Sequence, residues 1–209
     1  MFISFEGIDG CGKSTHARLL KERIEAAGKE VVLTHEPGGG GKIGESIRNT
    51  ILLEEMKSAD PLAEVFLFCA DRVHHVRKVV KPALDGGKTV ISDRFFDSTI
   101  VYQGCGRGVD FEFVERAARM SALGVEPDLT FFLDAPVEVC AGRLEGRQAV
   151  NRMDKEAEDF YKRLRKGFLS EAKKHPARIQ VVDASGEIEE TAGKIGAIAD
   201  EKIGTGGGD

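Results

Sequence analysis

Residues 7 to 14 read Gly-Ile-Asp-Gly-Cys-Gly-Lys-Ser, which are the residue types of a phosphate-binding loop. The stretch matches the pattern G-x-x-x-x-G-K-[ST] in full. Glycines let backbone N–H groups converge on phosphate oxygens, and the N-terminus of a following helix adds its positive end. Lys13 would contact the β- and γ-phosphates of ATP, and the Ser14 hydroxyl would coordinate Mg²⁺. The predicted ATP site comprises Gly7, Ile8, Asp9, Gly10, Cys11, Gly12, Lys13, Ser14 and Thr15.

Asp93 and Arg94 form a second candidate pair, directly after an apolar run. Ligands in open α/β sheets lie beyond the carboxyl ends of the strands. A carboxylate there can hold Mg²⁺, and an adjacent guanidinium can fork onto a phosphate. A surface ion pair is the alternative interpretation. Asp9 is a further candidate for a functional role, because a carboxylate within a phosphate loop is costly unless a cation or hydroxyl is nearby.

Five short apolar runs predict the strands that position these residues. They are 2–5, 31–33, 89–92, 129–133 and 179–182. Runs without polar alternation favour strands covered on both faces, as in a parallel sheet. Apolar residues recur at helical spacing between them, from Ala17 to Ala27 and from Leu62 to Val80. The first helix is predicted to stop at Gly28 and the second to end near Pro82. We therefore predict an α/β fold with a doubly wound, five-stranded parallel sheet.

The composition favours an ordinary globular protein, predicted as a single domain over residues 1–203 with a flexible Gly-rich tail at 204–209. The polar, Arg-rich stretch from about 143 to 154 is predicted to be a small mobile lid. A net charge of −5 argues against nucleic acid as the main partner. No run of about 18 apolar residues suggests a membrane span. The four scattered cysteines indicate reduced thiols and a cytoplasmic location.

Seven further blocks follow one another along the chain. They are Phe5-Glu6-Gly7-Ile8-Asp9-Gly10, Glu36-Pro37-Gly38-Gly39, Gly44-Glu45-Ser46-Ile47-Arg48, Leu67-Phe68-Cys69-Ala70-Asp71-Arg72, Asp93-Arg94-Phe95, Tyr102-Gln103-Gly104 and Pro127-Asp128-Leu129. In order and spacing they resemble the thymidylate kinase family over nearly the whole chain. The resemblance implies a P-loop kinase that transfers the γ-phosphoryl group of ATP to dTMP, giving dTDP. It also implies a homodimer.

The resemblance assigns an acceptor site residue by residue. In the family, the aromatic ring at position 68 stacks on thymine and the arginine at position 72 hydrogen-bonds its O4 carbonyl. A core position for Phe68 and a solvated one for Arg72 remain the alternatives. Arg48 and Arg94 resemble the family's contacts to the acceptor phosphate. By the same resemblance, Asp9 and Glu36 would face the acceptor sugar and the magnesium region, so Asp9 joins Ser14 and Asp93 as a predicted metal-binding residue. The predicted substrate-binding residues are Glu36, Arg48, Phe68, Arg72, Thr99, Tyr102 and Gln103.

The resemblance also places cations in the lid. Some family members carry a catalytic arginine in the phosphate loop, but Gly10 stands at that position here. Lid residues compensate in other members, so Arg147 is predicted to reach the transferring phosphoryl group, with Arg143 and Arg152 contacting ATP. A solvated basic loop is the alternative. The predicted catalytic set is therefore Lys13, Arg94, Arg147 and Asp9.

Two other functions stay open at this point. One is a kinase for another nucleotide, such as dUMP or CMP, which would need a different base pocket. The other is a P-loop ATPase that drives a partner. A GTPase switch is disfavoured because the sequence contains no N-K-x-D motif.

Overall fold

Five parallel strands form the central sheet of the computed structural model, which describes residues 1–145 and 157–205. The strands are β1 (Phe2–Glu6), β2 (Val31–His35), β3 (Thr89–Asp93), β4 (Leu129–Asp134) and β5 (Ile179–Asp183). They lie in the order β2-β3-β1-β4-β5, and all four pairings are parallel. This arrangement confirms the predicted doubly wound sheet, and each strand covers one of the five predicted apolar runs.

Helices connect the strands in the described part of the chain. They are α1 (Lys13–Ala26), α2 (Lys42–Leu52), α3 (Pro61–His75), α4 (Lys81–Asp85), α5 (Phe96–Thr99), α6 (Phe111–Ser121), α7 (Val137–Glu145), α8 (Glu158–Lys174) and α9 (Ile188–Thr205). A 3₁₀ turn spans Glu54–Ser58, and π-helical segments span Val76–Val80 and Ile100–Gly106. Helix α9 extends two residues into the predicted tail. No described helix has the length and apolarity that a membrane crossing requires.

The helix predicted to end near Pro82 continues past it. A π-helical segment joins α3 to α4, which ends at Asp85 before Gly86. Pro82 falls in the first turn of α4, where a missing N–H is tolerated. The helical segment therefore ends three residues beyond Pro82, close to the predicted position, because the change of helical register leaves Pro82 in a first turn.

Two hydrophobic clusters cover the sheet. Ile3 and Phe5 pack with residues of α1, α8 and α9, whereas Phe2 and Val90 pack with residues of α4 and α6. Strands β1 and β4 are buried along nearly their whole length. Strands β2 and β5 lie at the sheet edges, where Leu33 and Val181 are exposed. Cover on both faces is thus correct for the central strands but not for the edges.

The register of the sheet brings three loops together. Phe5 of β1 pairs with Asp93 of β3, and His35 of β2 pairs with the same residue from the other side. The segments that follow these strands therefore leave the sheet at one edge. That edge lies at the carboxyl ends of the strands, where open α/β sheets bind ligands.

Candidate active site

The phosphate loop joins β1 to α1 and depends on glycine at its turns. Gly10 has φ +86° and Gly12 has φ +95°, a region that L side chains rarely adopt. A Cβ atom on Gly10 would overlap the carbonyl oxygen of Cys140, because the loop packs directly against α7. The buried Lys13 side chain folds over the loop, and its Nζ donates to the Ile8 carbonyl at 2.8 Å. The loop thus opens a helix in the way that phosphate binding requires.

Other loop residues fill the space beneath it. Ile8 and Cys11 are buried, and Thr15 is partly buried in the first turn of α1. Burial raises the pKa of the Cys11 thiol, although the nearby Lys13 ammonium opposes the shift. The buried side chains of Ile8 and Cys11 therefore pack against the loop as neutral groups.

Two oxygen ligands meet beside the loop. The Ser14 hydroxyl donates to Oδ2 of Asp93, which links the start of α1 to the end of β3. A hydroxyl and a carboxylate are hard oxygen donors, the kind that Mg²⁺ prefers. This pairing brings together two of the three residues predicted for the metal.

Arg94 occupies the centre of the site. Its Nη1 donates to the Gly7 carbonyl and the Ser98 hydroxyl, each at 3.0 Å. Its Nη2 donates to Oδ1 of Asp9 at 2.5 Å and to the Tyr102 hydroxyl at 3.1 Å. Arg94 also has φ +74°, which is uncommon for a side chain of this size. The guanidinium therefore fixes the phosphate loop to the segment after β3.

Asp9 is held as a carboxylate by this network. Its Oδ2 accepts a bond from the Tyr102 hydroxyl at 3.0 Å, while Oδ1 faces Arg94. Burial alone would raise the pKa of Asp9, but the Arg94 and Lys13 cations outweigh it and bring the pKa to about 2. The cation and the hydroxyl that the sequence requires beside this carboxylate are both present.

Glu6 lies behind Arg94 and was missed by the sequence reasoning. Its Oε1 accepts from the Phe95 N–H at 2.8 Å, and its Oε2 accepts from the Ser98 hydroxyl at 2.5 Å. Burial, with the negative charge of Asp97, raises the pKa of Glu6 from 4.5 to about 8. The side chain therefore fixes Phe95, which follows Arg94 in the chain, and Ser98, which accepts a hydrogen bond from Arg94. Its position at the carboxyl end of β1 was the signal, by the same rule that singled out Asp93.

Arg72 is buried in a hydrogen-bonded cluster. Its Nε donates to Oε2 of Glu36 at 2.9 Å, and its Nη2 donates to the Thr99 hydroxyl at 2.8 Å. His75, one helical turn along α3, contacts Oε1 of Glu36 through Nδ1 at 2.8 Å and the Thr34 hydroxyl through Nε2 at 2.7 Å. Glu36 is thus held from two sides. The solvated alternative for Arg72 is wrong, and nothing in the sequence marked His75 for this position.

A cavity opens between α2, α3 and the segment after β3. Phe68 lines it and is half-buried, so its ring faces the cavity rather than the core. All seven residues predicted for substrate binding line this cavity: Glu36, Arg48, Phe68, Arg72, Thr99, Tyr102 and Gln103.

The cavity continues into the cleft over the phosphate loop. That cleft is lined by Gly12, Lys13, Ser14 and Asp93, among others. Four residues line both parts: Asp9, Glu36, Arg48 and Arg94. Arg48 reaches this junction from α2, and its Nη1 donates to the Pro37 carbonyl at 2.9 Å. The two halves are therefore parts of one continuous site.

Of the three arginines predicted for the lid, the structure describes Arg143. Arg143, near the end of α7, donates to the backbone carbonyls of Ala184, Ser185 and Gly186 at 2.9 to 3.4 Å. It therefore contacts the loop between β5 and α9. Arg147 and Arg152 lie outside the described residues, as does the lid from residue 146 onwards.

The fold and the site together define the class of P-loop nucleotide phosphotransferases. A family model described as thymidylate kinase matches residues 5–195. A thymidylate kinase from Pelotomaculum thermopropionicum is 47% identical over 186 residues, which are 88% of this chain and 85% of that protein. One from Citrifermentans bemidjiense is 43% identical over 196 residues, or 91% and 87%.

A solved structure agrees with these relatives. The crystal structure of thymidylate kinase from Ehrlichia chaffeensis matches with a TM-score of 0.77 at 36% identity, covering 95% of this chain and 98% of that one. The chain belongs to the thymidylate kinase family, which confirms the resemblance seen in its sequence blocks. It is an enzyme of the phosphotransferase class.

Proposed function

We propose that the protein transfers the γ-phosphoryl group of ATP to dTMP, giving ADP and dTDP. The observation that carries this proposal is the continuous cleft, in which the phosphate-loop half and the adjoining cavity share four charged residues. An ATP hydrolase needs only the phosphate-loop half of this cleft. The second half has the lining that an acceptor nucleotide requires: a ring for stacking and a guanidinium for a carbonyl.

Arg72 would read the acceptor base. A guanidinium carries five N–H donors, and the described residues accept four: Glu36, Ser121, Thr99 and the Phe95 carbonyl. One Nη1 hydrogen remains for a base carbonyl, counted over these contacts. Phe68 would stack on the ring, and Tyr102 would crowd a 2′-hydroxyl. This arrangement supports a thymine nucleotide of the deoxy series as acceptor.

Mg²⁺ fits the oxygen donors beside the phosphate loop. Ser14 and Asp93 would hold it, because their oxygens already lie in contact. Asp9 suits this role less well, since both of its oxygens are engaged by Arg94 and Tyr102. When bound, the ion neutralises charge on the phosphates of ATP.

The transfer requires no general base. The second pKa of a phosphate monoester lies near ~6, so the attacking oxygen of dTMP is already largely ionised at neutral pH. The enzyme must bring two polyanions together and stabilise the charge of an in-line transfer. Lys13, Arg94 and Arg147 are the proposed cations. Asp9, fixed by Arg94 and Tyr102, would position the acceptor, and closure of the lid would exclude water.

Competing acceptors separate this proposal from its rivals. We expect dTDP formation from ATP and dTMP to be at least ~10-fold faster than phosphorylation of dUMP, CMP or dGMP, because a methyl-sized group in a pocket, or a contact to a base carbonyl, is worth about 1–3 kcal/mol. Lys13→Ala serves as the inactive control. A higher rate with CMP would assign another nucleotide kinase, and ATP hydrolysis unaffected by any monophosphate would assign an ATPase.

We further propose that the protein forms a homodimer in the cytoplasm. The side chains of Leu62 and Phe66 on α3 are exposed, and Phe66 contacts Phe113 of α6 edge-on with ring centroids 6.1 Å apart. An exposed apolar patch of this kind favours association. The four cysteines are free, as thiols in a reducing compartment are expected to be.

A further inference from the structure

Two carboxylates and one imidazole converge between α6 and the end of α8. Glu115 lies on α6, Glu171 lies on α8, and His175 follows the last residue of α8. One ligand atom from each lies within 4.8 Å of the other two, and His175 Nε2 lies 3.9 Å from Oε2 of Glu171. None of the three lines the cleft described above. The cluster is therefore separate from the proposed kinase site.

Glu171 carries an unsatisfied oxygen that points into this cluster. The side chain is 1% exposed, and its Oε1 accepts from Lys174 Nζ at 2.8 Å. Its Oε2 has no hydrogen-bond partner among the described residues. A buried carboxylate oxygen without a partner destabilises the folded state, because burial removes its hydrogen bonds to water and no protein hydrogen bond replaces them. A cation between Glu171 and His175 would satisfy it.

The contact with Arg119 identifies the ring nitrogen of His175 that accepts hydrogen bonds. Its Nη2 lies 3.2 Å from Nε2 of His175, and because arginine only donates, that nitrogen presents its lone pair. A neutral imidazole ligates metals through such a lone pair, which in this structure accepts a hydrogen bond from Arg119. Arg119 also contacts Glu115 and Glu126. An ion that binds His175 must therefore displace this guanidinium, which keeps Glu126 as a partner.

The dimensions and access suit a small ion. The side chains of Glu115 and His175 are about one third exposed, so an ion can enter from solvent. Tetrahedral bonds of 2.0–2.2 Å place ligand atoms roughly 3.3–3.6 Å apart. The observed separations must therefore shrink by at most ~1.5 Å, which side-chain rotation of the two exposed ligands can supply.

We propose that Glu115, Glu171 and His175 bind a divalent transition-metal ion of the zinc class. A mixed set of carboxylate oxygens and imidazole nitrogen suits Zn²⁺ or Co²⁺, whereas Mg²⁺ prefers oxygen ligands alone. The ion would tie α6 to the end of α8. Because a ligand that binds only the folded state stabilises it, the ion would also raise the thermal stability of the protein.

Zn²⁺ added to the full chain provides the test, with excess Mg²⁺ present to compete at Ser14 and Asp93. We expect isothermal titration calorimetry to show one Zn²⁺ per chain and a rise in Tm on binding. Co²⁺ should give the visible absorption of a nitrogen- and oxygen-ligated ion. In His175→Ala, which alters a partly exposed residue, the affinity should fall at least ~10-fold and the rise in Tm at a fixed Zn²⁺ concentration should shrink accordingly.

A histidine elsewhere provides the matched control. His74→Ala removes an imidazole that contacts the Gly40 carbonyl, far along the chain from this cluster, and should bind Zn²⁺ as the unmodified chain does. Glu171→Gln should also lose binding; if it fails to fold, His175→Ala decides alone. The proposal is wrong if the unmodified chain binds no Zn²⁺ up to about 100 μM, or if His175→Ala binds it equally well.

Discussion

Arg94 makes the contacts on which the proposed chemistry depends. One guanidinium bonds the phosphate loop at Gly7 and Asp9, and bonds Ser98 and Tyr102 on the segment after β3. A fork of N–H donors can serve these acceptors at once, whereas an ammonium group acts as a point charge. The geometry of the cation therefore matters as much as its charge.

Replacing Arg94 by lysine tests this requirement. Arg94→Lys keeps the charge but loses the fork, so Asp9 and Tyr102 lose their fixed positions. We expect kcat/KM for dTMP to fall at least ~100-fold, because a charge-assisted site contact is worth about 3 kcal/mol in the transition state. Circular dichroism should show an intact fold. If Arg94→Lys keeps more than a tenth of the activity, the charge of Arg94 is sufficient and the forked geometry is not required.

Glu6 gives a prediction for the dependence of stability on pH. Its pKa is raised to about 8 by burial and by Asp97, so between pH 4.5 and about 8 the folded state holds a proton that the unfolded chain has released. The free energy of unfolding contributed by this group therefore falls as the pH rises through that interval. Glu6→Gln keeps an acceptor for the Phe95 N–H and removes the titration. Urea denaturation at pH 5 to 8 should show a flatter profile for Glu6→Gln; parallel profiles would contradict the assignment.

The phosphate loop and α7 act together as one element. Gly10 combines a positive φ with direct contact to the backbone of Cys140. Gly28 has nearly the same φ, +81°, but faces open space. Comparing the two glycines separates backbone strain from steric contact. Gly10→Ala and Gly28→Ala both introduce backbone strain, but only Gly10→Ala also introduces a steric overlap.

We expect Gly10→Ala to lower the Tm at least twice as much as Gly28→Ala. Strain alone costs roughly 1–2 kcal/mol, which corresponds to several degrees in a chain of this size, since 1 kcal/mol shifts Tm by about 2–4 °C. The overlap with Cys140 adds to this and displaces the loop, so ATP binding should be lost only in Gly10→Ala. Differential scanning fluorimetry and nucleotide titration measure both effects. Equal losses of Tm in the two variants would mean that α7 moves to accommodate the new methyl group at no measurable cost, which contradicts the prediction.

Local patterns predict most of the elements. The strands are recognisable because buried parallel strands have continuous apolar runs, and the phosphate loop because its glycines and lysine lie within eight residues. The α3–α4 segment ends three residues after Pro82, near which its end was predicted; the π-helical change of register within it leaves no local signal. The exposed edges of β2 and β5 depend on strand order, which no single strand specifies.

The site was predictable where a family block marks the residue. Phe68, Arg72, Tyr102 and Gln103 line the cavity as the resemblance implies. His75 and Thr34 were missed because their roles arise from contacts between distant segments, such as His75 with Glu36. Glu6 was missed although its place at the carboxyl end of β1 marked it. Arg143 was assigned by its place in a basic stretch, but its direction is set by the carbonyls of the loop before α9.

At the scale of the whole molecule, the apolar patch on α3 and α6 predicts association. Phe66 is 56% exposed and Leu62 is 39% exposed. We expect Phe66→Asp to shift a dimer to monomer in sedimentation velocity, because a buried charge without a partner opposes an interface. Ile188→Asp, which changes a similarly exposed residue at the start of α9, is the control and should leave the dimer intact. An unchanged dimer in both variants would place the interface elsewhere.

The central claim is that one cleft passes a phosphoryl group from ATP to dTMP instead of to water. Phosphorus-31 NMR of the protein with ATP, Mg²⁺ and dTMP follows every phosphate in the reaction. The account predicts ADP and dTDP in a one-to-one ratio with little inorganic phosphate, and neither product in Lys13→Ala. ADP accompanied by an equal amount of inorganic phosphate, with no dTDP, would contradict it.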